Sequence, residues 1–414
     1  MILVNANTVK EIYLKALKDM WNKTCYQFPN FLSETSNNNK ADNEVYIQAM
    51  FDNFQKQFNR FPRLPLRRKK WVHKTKLMFH DFFCNETFIG IHQSMDDESI
   101  NNLQEELTLF LKQVRVFAPE LSFYDIGQAI RNYIVYMMFK EMNGLKTGFS
   151  MSAFSYSMLY PVTDNYIDNK DYTATDKKEY NQIIRDKIAG NKVYPKSIHQ
   201  KKTCELLQAI EDDYPREKDL TIFHLLQMML EAQVDSLKQQ EKEIVLTETE
   251  RLDISLYKGG VSVLIDRYLI NKELTPDDMM FYLGFGFFLQ LVDDLQDIKE
   301  DSLHGNQTLF TLDTSNNHVE ETVNRLLHFV FDLTECYQAE NTFFKNFILP
   351  NCYQLIYSSV NRSKEFFSPE YLRNLETFLP VTYSYYSTIK LNQLERLDTK
   401  SQDKYMTILD ELLK

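Results

Sequence analysis

Turn-forming residues are scarce in this chain, with 10 glycines and 11 prolines among 414 residues. A sandwich or barrel of short strands needs a turn signal about every 8–12 residues, and so few breakers cannot supply it. Apolar residues, 43% of the total, recur instead at helical spacing almost throughout. The spacing predicts helices over 98–117, 122–146, 150–171, 198–213, 218–242, 248–270, 276–300, 317–340, 343–364 and 368–395. Polar stretches at 33–43, 172–196 and 301–316 read as loops. The expected fold class is all-α. Nothing in the middle reads as a linker, so we expect an N-terminal helical extension (1–95) before one large catalytic domain (96–414).

The net charge of −11 argues against a nucleic-acid partner, because phosphate binding needs a basic face. The five cysteines (Cys25, Cys84, Cys204, Cys336, Cys352) show neither zinc-finger nor redox spacing, which suits a reducing compartment. The opening MILVNANTVKEIYLKAL lacks the apolar run of a signal peptide. No stretch approaches the ~20 apolar residues of a membrane span. A cytoplasmic protein is expected. The only basic concentration is RLPLRRKKWVHKTK (63–76). It reads first as a solvated helix face or basic turn, and otherwise as peripheral contact with an acidic membrane or a lipid substrate.

The strongest local signal is FYLGFGFFLQLVDDLQDIKED (281–301), an apolar helix that turns abruptly acidic. At ~100° per residue, Asp293, Asp294, Asp297 and Asp301 share one ~100° arc with Gln290 and Gly286. Like charges one turn apart repel, and more strongly when desolvated. Such a face calls for a neutralising cation. Hard oxygen donors without His or Cys point to Mg²⁺, which takes one or two carboxylates and fills its other positions with water and phosphate oxygens. The face reads as half of a diphosphate site, against the plainer reading of a solvated acidic helix end.

A second acidic group lies upstream in SYSMLYPVTDNYIDNKDY (155–172). Asp164, Asp168 and Asp171 fall within ~60° of one another on a helix, Tyr160 extends that face backwards, and Asn165 flanks it. Pro161 should start or kink this helix. Between the two groups, KGGVSVLIDRYL places Gly259-Gly260 inside a helical pattern. The pair reads either as a turn between two short helices or as a helix break beside a phosphate. Lys258 and Arg267 are candidate contacts for an anionic leaving group. The preceding stretch, 224–240, carries Gln227, Glu231 and Asp235 at i+4 steps, as a cavity lining or a surface stripe.

With these residues in view, VDDLQD resembles the second aspartate-rich motif of the class I isoprenoid synthases. TDNYIDNKD and KGGVSVLIDRYL resemble, within that superfamily, the large terpene synthases of the tetraprenyl-β-curcumene synthase type. The likeness is carried by about 150–310. It implies an all-α bundle with a central cavity, and two or three Mg²⁺ ions (or Mn²⁺) held by Asp293, Asp294 and Asp297 together with Asp164 and Asp168. It further implies a prenyl diphosphate substrate contacted by Lys258, Arg267, Gln290, Asn165 and Tyr160, ionised with release of inorganic diphosphate. Tyr160, Phe285, Phe287 and Phe288 would offer aromatic faces to the resulting cation. As aligned, Asn165 stands where that family's first motif begins with Asp, and Asp164/Asp168 instead match the DxxxD spacing of squalene and phytoene synthases. A chain-elongating or head-to-head prenyltransferase shares these motifs. A catalytically silent isoprenoid-fold scaffold and an unrelated helical interaction protein are the readings from other classes.

Overall fold

The computed structural model describes residues 6–146, 148–167, 171–241, 243–388 and 399–414, without the side chains of Asp164, Ala174 and 399–401. Among the described residues the chain is all-helical, 76% helix with no strand. No described helix is long and apolar enough to cross a membrane. The helices expected at 98–117, 198–213, 248–270 and 317–340 appear as Asp97–Phe117, Ile198–Asp213, Glu248–Asn271 and Asn316–Tyr337. The helices expected at 122–146, 150–171, 218–242 and 343–364 are present within those bounds as Phe123–Met142, Met151–Ile167, Thr221–Ser236 and Leu349–Arg362, and three other expectations fail. The loop expected at 33–43 is helical from Asn37, because the Ser36 side chain accepts from the Asn39 backbone and starts a helix there. The loop expected at 172–196 contains the helix Ala174–Ile188, opened by a reciprocal cap between Thr173 and Asp176. Among the described residues, the long helix expected at 368–395 is Pro369–Glu376 and Tyr383–Thr388, and 389–395 lie outside them.

The chain forms two compact units, Met1–Leu32 with Met151–Asn374 and Ser33–Ser150 with Leu375–Lys414. In the second unit, the Trp71 indole donates to the Gln57 carbonyl at 2.9 Å. The chain's C-terminal helix is tied in by Arg68–Glu411 and Arg115–Asp410, both 2.7 Å.

The first unit is organised around a helical hairpin of Glu248–Asn271 (the Gly-Gly helix) and Pro276–Gln296 (the aspartate helix). Both start with capping boxes, Thr247 with Glu250 and Thr275 with Asp278, and Pro276 occupies the first turn where its missing N–H is not needed. Asp278 has a second task. Its carboxylate also accepts from Arg267 at 2.9 and 3.1 Å, which ties the end of the first helix to the start of the second. A run from Leu256 to Leu269 is buried almost residue for residue, as expected for a helix surrounded by others.

Gly259 and Gly260 neither break this helix nor mark a turn. Both lie inside it, and their role is to bring its backbone against the partner helix. A Cβ on Gly259 would stand 2.4 Å from the Gly286 carbonyl oxygen, and one on Gly286 would stand 2.0 Å from that of Gly259. Gly260 lies against Leu283 in the same antiparallel register. The helix Met151–Ile167 likewise runs through Pro161 rather than starting there. Phe285, Phe287 and Phe288 are core residues. Phe287 packs edge-on against Trp21 at 5.2 Å and Phe329 at 5.4 Å, while Phe285 meets Phe344 and Phe288.

Ala at Gly286 gains about 1 kcal/mol of helix propensity but forces two backbones apart, an overpacking cost of about 1–3 kcal/mol or more. G286A should therefore melt at a lower temperature than the wild type in a circular-dichroism scan. An unchanged or higher melting temperature would refute the backbone contact.

Candidate functional site

The aspartate helix ends at Gln296, Asp297 occupies the bend (φ −101°, ψ 6°), and a short helix Ile298–His304 follows. The single helix expected over 276–300 is thus two. Hydrogen bonding nevertheless carries across the bend, from the Asp297 N–H to Asp293 (3.1 Å) and from the Asp301 N–H to Asp297 (2.8 Å). Asp293, Asp294, Asp297 and Asp301 consequently wall one polar pocket of about 150 Å³ together with Gln290 and Lys258. The facing wall is Ser236, Gln239, Gln240, Asn306 and Thr308.

Asp293 is exposed at the rim, whereas Asp294 is buried at 6% exposure. The hydrogen-bond partners of Asp294 are neutral, Gln290 donating at 2.8 Å and Ser255 at 3.4 Å. Burial pushes the Asp294 carboxyl up to about 7, opposed by the Gln290 hydrogen bond and assisted by the charge of Asp293. Burial and then Asp293 push Asp297 up to about 6. Asp301 is raised by burial, although Asn306 donates to it at 2.7 Å. Lys258, half-buried, acts on Asp294 and Asp301 in the opposite sense. The donor set contains oxygens alone, which suits Mg²⁺. Among the described residues no three His, Cys, Asp or Glu side chains come together closely enough to hold an ion by themselves.

The other predicted residues are distributed more widely. Arg267 is tied to Asp278 and Asn271 and does not line the aspartate pocket. Tyr160 shares a hydrogen bond of 3.0 Å with Tyr156, whose hydroxyl donates to the Ser262 carbonyl, and it lines a separate apolar cavity of about 50 Å³. Asn165 is exposed. Asp168 lies outside the described residues, and Asp164 is described only as a position in the helix Met151–Ile167. Of the Gln227–Glu231–Asp235 face, Gln227 is exposed and bonded to Glu231, while Asp235, bonded to Lys238, lines a different cavity from the aspartate pocket. The 3₁₀ extension of that helix, Leu237–Gln240, is what reaches the pocket.

No family model, no curated protein and no solved structure matches this chain. Its site therefore rests on geometry alone. A larger cavity, about 760 Å³ between Lys10, Lys18, Lys238 and Tyr257, is the weaker candidate. Its charges are largely matched internally, as in Lys18–Asp253 at 2.6 Å and Lys238–Asp235 at 3.1 Å.

One contributor escaped the sequence reading. Arg251, buried at 6% exposure, donates to the Leu246 carbonyl (3.1 Å), the Thr308 carbonyl (2.8 Å), the Thr311 hydroxyl (3.3 Å) and the Gln307 amide oxygen (3.3 Å). All four acceptors are neutral. This guanidinium fastens the 306–311 strap, whose Asn306 holds Asp301 and whose Thr308 walls the pocket. In sequence it reads as an ordinary charge in the first turns of a helix, and no local signal marks it.

Asp294 and Asp297 keep protons in the folded chain at pH values where an unfolded carboxyl, at 3.8, has lost its own. Folding therefore takes up protons between that value and about 7, so stability falls as pH rises through the window. One such group contributes at most about 1.4 kcal/mol per pH unit. Unfolding in urea at pH 5 and pH 8 should show lower stability at pH 8, and Mg²⁺ should restore part of it. A D294N variant should lose much of the slope; a wild-type-like slope would mean that other groups set it. R251M, which leaves the strap's carbonyls without their donor, should cost about 2–4 kcal/mol in the same assay, with R251K recovering only part.

Proposed function

We propose that the aspartate pocket is the diphosphate end of a class I terpene synthase site, in which a prenyl diphosphate is ionised with release of inorganic diphosphate. One observation carries the reading. Four carboxylates, from the end of the aspartate helix, the bend after it and the short helix that follows, wall a single polar pocket, and the most deeply buried of them has only neutral hydrogen-bond partners. A chain gains nothing in stability from that arrangement, so a cationic ligand is the natural reason for it.

In this reading Asp293, Asp294 and Asp297 hold Mg²⁺, with Asp164 and Asp168 as the opposite half implied by the family likeness. The metal, when bound, supplies positive charge to the phosphate oxygens. Gln290 orients the Asp294 carboxylate by donating to one of its oxygens. The Lys258 ammonium provides a donor on the same wall for a departing oxygen anion. Asn306 keeps Asp301 turned toward the pocket. The isoprenoid-synthase fold belongs to the same proposal, and the all-helical architecture is consistent with it.

The test is diphosphate release from geranyl, farnesyl, geranylgeranyl and longer prenyl diphosphates, with Mg²⁺ or with EDTA, followed by mass analysis of the organic phase. Mg²⁺-dependent release with a hydrocarbon or alcohol product is expected. D294A should lose roughly 10²-fold or more of the rate while its circular dichroism stays unchanged, and K258M should slow release less severely. Release only when isopentenyl diphosphate is added would reassign the site to a prenyltransferase. No release and no Mg²⁺ binding would leave a non-catalytic protein.

A further inference from the structure

The basic segment singled out in the sequence is not used by the aspartate pocket, and the structure gives it a definite form. It is the first half of the helix Pro65–Asn85. The inner face of that helix is settled. Trp71 and Thr75 are buried, the Trp71 ring packs edge-on to Phe61 at 5.1 Å, and Gln57 donates to the Thr75 hydroxyl at 2.9 Å. Arg68 belongs to this side, since it is paired with Glu411 at 2.7 Å and lies over the Phe61 ring. At ~100° per residue, Trp71, Thr75, Met78 and Phe82 occupy a single ~60° arc.

The outer face is different in kind. Arg67, Lys69, Lys70, Lys74 and Lys76 are all exposed, and none of them enters an ion pair among the described residues. Leu66 is 96% exposed and Leu77 54%. On the same projection these two leucines lie within ~20° of each other, three turns apart, in the middle of the outer face. Arg67, Lys70 and Lys74 flank them on one side, Lys69 and Lys76 on the other. Two exposed leucines, separated along the face by Lys70 and His73 and edged on both sides by cations, are thus presented to solvent by a protein whose net charge is −11, with Asp81 the one acidic residue of this face.

Cations alone would suit any polyanion. The leucines narrow the choice, because a nucleic-acid backbone offers no apolar surface to two exposed leucines at the centre of the face. An anionic bilayer satisfies both halves. Headgroup phosphates meet the lysines, whose long stems reach upward, while the leucines enter the acyl boundary.

We propose that this outer face docks flat on an anionic phospholipid surface. The inference stands apart from the aspartate pocket, and its test needs no catalytic activity. The full chain is floated with phosphatidylcholine vesicles, with or without phosphatidylserine, at low and high salt. Binding is expected only to the phosphatidylserine vesicles and should weaken with salt. K70Q/K74Q should bind roughly twenty-fold more weakly, and L66S/L77S should bind more weakly at unchanged net charge. All four positions are on the solvent side, so melting temperatures should stay those of the wild type. As a second readout, the fluorescence of an L66W variant should be quenched by brominated lipid. Three results would overturn the proposal: equal binding to neutral vesicles, undiminished binding by K70Q/K74Q, or no quenching of L66W. Binding to single-stranded RNA that outcompetes the vesicles would do so as well, and would assign the face to nucleic acid.

Discussion

The first unit depends on one contact without side chains, the backbone of Gly259 lying against that of Gly286. Two helices that approach this closely must have glycine at the crossing, and the packing of everything around them follows from the resulting axis. Bringing the backbones together sets Lys258 and Gln290, each next to a crossing residue or one turn beyond it, on a common wall. It also carries the acidic end of one helix alongside the first turns of the other, where Ser255 reaches Asp294. The glycines thus contribute to the site through distance rather than through chemistry of their own.

Around that contact the molecule separates two kinds of burial. On one side the aspartate helix meets Trp21 and Phe329 in a dry aromatic cluster, where area removed from water stabilises in the ordinary way. On the other side carboxylates are buried against amides and hydroxyls, an arrangement that raises their proton affinity and costs stability. A single helix carries both faces. The strap fastened by Arg251 closes the second face with neutral groups, and its Asn306 holds Asp301 at the pocket.

Much of this was legible in the sequence, and the failures are instructive. The all-α class followed from the scarcity of breakers, and the arc of Asp293, Asp294, Asp297 and Asp301 survives as one pocket wall even though the helix bends at Asp297. Helical projection succeeded there because it asks only about neighbours one turn apart. It failed for Gly259-Gly260, since a glycine pair that breaks a helix and one that admits a second helix look the same along the chain. It failed for Phe285, Phe287 and Phe288, which are close in sequence to the aspartates but point into the core. Arg267, offered as a phosphate contact, is instead paired with Asp278 across the connector between the two helices, a partner that the helical projection did not consider. Arg251 and the strap residues it holds, Gln307, Thr308 and Thr311, lie 56–60 residues apart and meet only in the fold.

The double use of Asp278 bears on how this chain can change over evolutionary time. The connector between the two central helices, residues 272–275, is clamped at both ends by the same carboxylate, through Arg267 before it and Thr275 after it. Adding one residue there would have to be absorbed between two points fixed to one carboxylate, or would part the Arg267–Asp278 pair that ties the two helices together. Length variation that surface connectors ordinarily tolerate is therefore closed to this one. Among relatives of this chain, insertions should accumulate in other loops while this four-residue link keeps its length.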